Sequence, residues 1–295
     1  MGYKITVLTP EDADRQIQEL MSESYVAPAY LQLFREVFNA QYETERKLQA
    51  KNLYPSVNKK EADNRRAQGL PILDPDKLRF DENELSDLLQ KIYSILSKYA
   101  TDKSIVPNRL FEAKESGDLK LCELVRAIMT DNKDYLRFVS EKTGEDEEEI
   151  IFFARTIASP FLRVCAGNVN QKADIDLTQA NTCPVCGGLP AMAKLRQKDG
   201  KRILECSLCN TQWEFKRLRC PFCGNEDQSA LGFFFSEEQS AYRVDKCDKC
   251  KRYIKTVDER SKVEDKLKAL MIEDVATLYL DILAEQEGYQ GINKL

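Results

Sequence analysis

Cys183-Pro184-Val185-Cys186, Cys206-Ser207-Leu208-Cys209, Cys220-Pro221-Phe222-Cys223 and Cys247-Asp248-Lys249-Cys250 hold eight of the ten cysteines in the chain, as four Cys-x-x-Cys pairs. Two residues between cysteines let a tight turn aim both thiolates at one ion, and two such turns supply a tetrahedral set of four sulfurs. The stretch therefore predicts two sites of four ligands each. The first and third pairs share Pro after the first Cys and Gly after the second, at Gly187 and Gly224, so they read as equivalent openings of a repeated module. Proline presets φ inside the turn, and glycine admits a positive φ at its exit.

Hairpin-like sequence follows each opening. Ala191–Arg196 and Lys201–Cys206 flank a turn ending Asp199-Gly200; Leu231, Phe233 and Phe235 alternate opposite Tyr242 and Val244 across residues 236–239. This order assigns one ion to Cys183, Cys186, Cys206 and Cys209, and a second to Cys220, Cys223, Cys247 and Cys250. A cross-braced pairing of the first pair with the third is the alternative. A disulfide framework lacks the marks of a secreted chain, and dithiol redox chemistry calls for one reactive pair rather than four regular ones. Four thiolates suit zinc or a single iron equally, and sulfur-rich sites also hold clusters.

The 295 residues leave room for much more than this segment, and the chain contains no histidine. That excludes Cys₂His₂ fingers, histidine-ligated catalytic zinc and haem, and Ser-His-Asp or Cys-His nucleophiles. Between Asn181 and Thr256, 14 Lys/Arg face 9 Asp/Glu, a balance of +5 that leaves −10 for the rest of a chain whose net charge is −5. Two tetrathiolate sites with divalent ions contribute about −4, which nearly cancels that basic excess. A zinc-ribbon nucleic-acid binder would use Lys194, Arg196, Lys198, Lys201 and Arg202, with Lys246, Lys249, Lys251 and Arg252; charge runs of this kind ordinarily form a solvated face. No apolar run approaches a membrane span, and no secretory signal is present, so the expected compartment is the cytoplasm.

The remaining sequence reads as helical. Thr9-Pro10-Glu11-Asp12 is a helix start, and apolar stripes recur over Ala29–Leu48, Asp81–Tyr99 and Leu119–Met129. Residues 51–68 are polar and without a sustained period. Thr143-Gly144 opens a helix with Glu145–Glu149 as a solvated acidic first turn and a kink or break expected near Pro160. Cys122 and Cys165 are expected as core residues. Trp213 and Phe215 predict a strand packing one module on the other. Leu267, Leu270, Met271, Val275, Leu278 and Leu283 predict one C-terminal helix ending near Gly288.

The chain resembles the formate dehydrogenase accessory protein FdhE family. The residues that carry the resemblance are Cys183–Gly187, Cys206-x-x-Cys209 followed by Trp213, Cys220-x-x-Cys223, Cys247–Cys250 and Glu285-Gln286-Glu287-Gly288-Tyr289. With it the expected fold is α+β: an all-helical N-terminal domain (1–175), two tandem rubredoxin-like, zinc-ribbon-like metal modules (176–214 and 215–257) and a C-terminal helix (258–295). The resemblance implies a non-enzymatic cytoplasmic protein that binds the catalytic subunit of a molybdenum- or tungsten-dependent formate dehydrogenase and supports its maturation, with iron or zinc as its two metal ions. A rubredoxin-like electron carrier is the other reading of the same sites.

Overall fold

The computed structural model describes residues 4–5, 8–23, 26–51, 57, 59–99, 108–169, 180–235, 241–261 and 268–292. The chain divides into two compact units. One contains residues 1–31, 171–184 and 189–295, and the other residues 32–170 and 185–188.

The helical unit holds most of α2 (Pro28–Lys51), then α3 (Lys59–Ala67), α4 (Glu82–Tyr99), α5 (Asn108–Glu115), α6 (Leu121–Thr130), α7 (Lys133–Thr143) and α8 (Glu147–Gly167). The α4 stripe of Leu85, Leu88, Leu89 and Ile92 is buried, as are Leu121, Leu124 and Val125 of α6. Lys120 provides no side-chain cap for α6. The Glu82 carboxylate does so instead, accepting from the Leu121 and Cys122 N–H groups at 2.7 and 3.0 Å.

Helix α8 is the centre of this unit. Its length and composition would suit a membrane span, but 78% of its apolar window is buried inside the protein, so it is a core helix. It runs through Pro160 without the break that was one of the two expected outcomes there. Pro160 offers no N–H to the carbonyl of Thr156, four residues back; the Gln41 side-chain amide donates to that oxygen at 2.7 Å and replaces the lost bond. Asp146 caps α8 by accepting from Glu148 N–H, while Gly144 ends α7 at φ 67°. The polar stretch at 51–68 contains α3, which reads as featureless because Ala62 is its buried residue.

The other unit contains β1 (Lys4–Ile5), α1 (Pro10–Glu23) and a single seven-stranded sheet with two helices after it. The strands are β2 (Pro190–Leu195), β3 (Arg202–Cys206), β4 (Thr211–Phe215), β5 (Leu231–Phe235), β6 (Tyr242–Cys247) and β7 (Arg252–Asp258), in the order β1-β4-β3-β2-β7-β6-β5. Each cysteine module supplies an antiparallel set of three. The two sets join where β2 and β7 pair in parallel, Met192 opposite Lys255 through Leu195 opposite Asp258. Trp213 therefore does not pack one module on the other. It lies in β4, two strands from that joint, with its indole N–H donating to Ala180 O at 3.0 Å.

The expected single C-terminal helix is two, α9 (Leu270–Ala276) and α10 (Leu278–Gln286). They break at Thr277, whose hydroxyl donates to the Glu273 carbonyl at 2.7 Å and competes with the helical ladder. Leu267 lies outside the described residues. Leu270 packs with Met192 and Val257, and Leu280 and Ala284 pack with Val244, Tyr253 and Tyr289, so the two helices cover one face of the sheet.

Candidate metal centres

Each module repeats one plan. A Cys-x-x-Cys turn leads into two antiparallel strands, and the second strand runs into another such turn before the third strand departs. The turns are alike in backbone. Asn210 N–H donates to Cys206 O, Gly224 N–H to Cys220 O and Lys251 N–H to Cys247 O, at 2.9 to 3.3 Å. The residue after every second cysteine has a positive φ: 85° at Gly187, 54° at Asn210, 71° at Gly224 and 54° at Lys251. Glycine marks the two opening turns in sequence. The closing turns reach the same left-handed conformation with Asn, which tolerates it, and with Lys, which nothing in the sequence singles out.

The structure brings together Cys183, Cys186, Cys206 and Cys209 in one group and Cys220, Cys223, Cys247 and Cys250 in the other, with the four sulfurs of each within 4.8 Å of one another. The cross-braced pairing is not the one the fold adopts. No disulfide joins any of them. Cys183 Sγ lies 3.6 Å from Cys209 Sγ, Cys220 Sγ 3.7 Å from Cys250 Sγ, and Cys223 Sγ 3.8 Å from Cys247 Sγ. A tetrahedron with metal–sulfur bonds of about 2.3 Å has edges of about 3.8 Å, whereas a disulfide needs about 2.05 Å. Donor type, donor number and spacing thus all fit a closed four-sulfur site for one ion.

The two groups differ in their surroundings. All four cysteines of the first are buried; in the second Cys220 and Cys247 are buried, Cys250 is half-buried and Cys223 is exposed. In the first, Leu208 N–H donates to Cys206 Sγ at 3.3 Å, and the Thr211 hydroxyl lies 3.1 Å from Cys209 Sγ. Such contacts orient sulfur and temper its charge. In the second, burial pushes the Cys220 thiol up to about 11 and raises Cys250 as well. Burial also opposes ionisation of Cys223, but hydrogen bonds from the Asn225 N–H and the neighbouring thiols outweigh it and bring this thiol below its ordinary range. A cation binding to such a group displaces the remaining thiol protons.

Tyr289, at the end of the Glu285–Tyr289 motif, clamps the last turn. It is buried and donates to Asp248 Oδ1 at 2.5 Å, and it accepts from Lys246 Nζ at 2.8 Å. Lys246 and Lys251 lie 4.8 and 5.3 Å from its ring centre. Gln290 then bonds through its backbone to Lys251 and Tyr253. The motif had no chemical reading in the sequence because its partners lie about 40 residues earlier.

The basic residues of the nucleic-acid reading are largely occupied. Lys194 pairs with Glu259 at 3.0 Å, Arg196 with Asp199, Lys201 with Glu214 at 2.7 Å and Lys251 with Asp248 at 2.9 Å. Arg202 is buried against Asp245. Outside the two groups, Cys165 is buried and Cys122 is half-buried, with burial and Glu82 raising its thiol.

Comparison with known proteins gives one consistent answer. Residues 182–217 match the description "FdhE, central domain", and residues 218–295 match "FdhE, C-terminal domain". A protein FdhE homolog of Aquifex aeolicus (strain VF5) is 30% identical over 186 residues, 61% of this chain and 64% of the relative. Protein FdhE of Escherichia coli O1:K1 / APEC is 37% identical over 115 residues, 38% of this chain and 35% of that protein. The chain thus spans less than two thirds of the length of these relatives. The crystal structure of the FdhE protein from Pseudomonas aeruginosa superposes with a TM-score of 0.65 over 100% of this chain and 97% of the other at 18% identity, a likeness of fold.

Proposed function

We propose that this chain, which belongs to the FdhE family, is a cytoplasmic accessory protein that binds the catalytic subunit of a formate dehydrogenase and supports its maturation. The observation that carries this reading is the pair of four-sulfur groups carried by the turns of one continuous sheet. Four cysteines satisfy a tetrahedral ion completely and leave no open position at which a substrate is activated, so the sites suit a rigid platform better than a catalyst. Cys183, Cys186, Cys206 and Cys209 hold one ion, and Cys220, Cys223, Cys247 and Cys250 the other. The ions, iron or zinc, stiffen modules too small to hold their own shape.

A second reading, a rubredoxin-like electron carrier, draws on Cys223. Its exposure brings the second centre close to solvent, where an electron has a short path to a partner. Iron would supply the one-electron chemistry and zinc would not.

Affinity capture with the metal-loaded chain, from cells making formate dehydrogenase, is expected to recover its catalytic subunit. Repeated capture without that subunit would overturn the proposal. Protein purified without air separates the second reading: colour that bleaches reversibly on reduction supports electron carriage, and colourless protein holding two zinc ions removes it.

A further inference from the structure

The two modules are equivalent in plan but not in what lies against their first strands. In the first, β2 carries β7 in parallel along its outer edge. In the second, the corresponding strand is β5, which ends the sheet, and no strand lies beyond it among the described residues. Strand β2 is mostly buried, whereas every residue of β5 is exposed or half-buried. An unprotected aromatic edge of this kind is a template for another strand.

The face beside that edge has a distinct chemistry. Phe233 and Phe235 are stacked with centroids 6.4 Å apart and are 56% and 51% exposed; Leu218, on the segment leading to Cys220, is 52% exposed. Next to them a cavity of about 160 Å³ is lined by Arg202, Arg217, Arg219, Arg243, Lys246 and Arg252, with Asp245 as the single carboxylate among its lining residues. Asp245 is already shared, accepting from Arg202 at 3.2 Å and pairing with Arg243 at 2.9 Å. Arg202 is 4% exposed, and its Nε has no hydrogen-bond partner. Arg243 lies 4.8 Å from the Phe233 ring centre and Arg252 5.4 Å from that of Phe222. Even with about −2 on a loaded neighbouring centre, the set stays positive.

We infer that β5 and this arginine pocket form the docking site for an extended acidic segment of the partner protein, added in parallel to the edge of β5 with a carboxylate in the pocket and an apolar side chain against Phe233 and Phe235. The inference rests on the proposed function, taking that partner to be the formate dehydrogenase catalytic subunit. The open backbone edge of β5 favours a polypeptide over a nucleic acid, and the anionic sulfur centre next to the pocket disfavours a run of phosphates.

The test uses the full metal-loaded chain and the purified catalytic subunit. Arg217→Glu and Phe233→Asp alter exposed side chains, and Phe138→Asp, on an exposed residue of the helical unit, is the control. Each pocket variant is expected to weaken binding by about tenfold or more while keeping its metal, with a shallower salt dependence for Arg217→Glu; the control should bind as wild type. Hydrogen exchange on the wild-type complex should show new protection of the 231–235 amides, a readout independent of any variant. Wild-type affinity in both pocket variants with no protection of those amides would overturn the docking site and leave the proposed function standing. A wild-type chain that does not bind the subunit would remove both. Self-association, or binding of a single-stranded oligonucleotide, that is lost in the pocket variants while subunit binding is kept would assign the surface to those occupants and overturn the inference.

Discussion

Cys206→Ser is expected to release one of two bound ions and to unfold the first module while the second keeps its own ion. Cys206 ends β3 and is fully buried, so the serine hydroxyl would have to replace a thiolate with no water to help. Its pKa is too high for it to ionise as a ligand at neutral pH. Apparent binding free energies of structural zinc in small peptides are about 10–16 kcal/mol, and for so small a module losing the ion means losing the fold. Because β2 of this module is the strand that β7 pairs with, the joint of the sheet should loosen too. Metal content should fall from two ions to one and the near-ultraviolet signal of buried Trp213 should fade, while far-ultraviolet helix signal persists. Loss of all helix would contradict the division into two units.

Lys255→Ala is expected to cost about 3 kcal/mol, toward the low end for breaking a buried ion pair. The Lys255 ammonium, 4% exposed, lies 2.8 Å from Asp274 Oδ1 and 2.6 Å from Asp281 Oδ2 and donates to Asp274 O. Removing it leaves two carboxylates facing each other under α9 and α10, though Asp274 is 40% exposed and water recovers part of the loss. Lys255→Met combined with Asp281→Leu should regain most of it, since an apolar replacement leaves fewer charges unpaired. The same cluster sets an alkaline limit. Burial opposes the Lys255 charge, but Asp274 and Asp281 outweigh it and hold the ammonium above its ordinary range; burial, then Asp281, push the Tyr253 hydroxyl far up. Both folded-state values are raised, so their stabilisation is fully present below the unfolded values near pH 10 and is lost as pH rises through the folded ones. The unfolding temperature of the wild type should therefore fall steeply above about pH 10, and a shallower fall in Lys255→Ala, where Tyr253 still titrates, would confirm the share of Lys255.

The ligand quartets were legible because Cys-x-x-Cys spacing is local chemistry: a turn of four residues decides where both sulfurs point. The hairpins were legible for the same reason, but not the register of the second: Val244 lies opposite Phe234, while Phe233 and Phe235 lie opposite Asp245 and Arg243 and are exposed. What joins them was not, since the parallel pairing of Met192 with Lys255 links residues more than 60 apart and leaves no periodic trace. Helices α5 and α7 are short, and the buried Leu136, Val139 and Thr143 of α7 make a stripe of only two turns, too brief to read from the sequence. Helix α1 announces its start but not its partner, which is α9; Gln16 Oε1 accepts from Ala269 N–H at 2.8 Å across 253 residues. The survival of α8 through Pro160 turned on one glutamine in another helix. The arginine pocket gathers residues of β3, β6 and β7 and the segment before Cys220, which in sequence look like separate solvated charges.

The central claim is that each sulfur group closes around its own ion, and X-ray absorption at the metal edge of the intact chain, with a metal count on the same sample, tests it most directly. Two ions per chain are expected, each with four sulfur neighbours at about 2.3 Å and no second metal nearby. Fewer than two ions, oxygen or nitrogen among the nearest neighbours, or a short metal–metal distance typical of a cluster would contradict it.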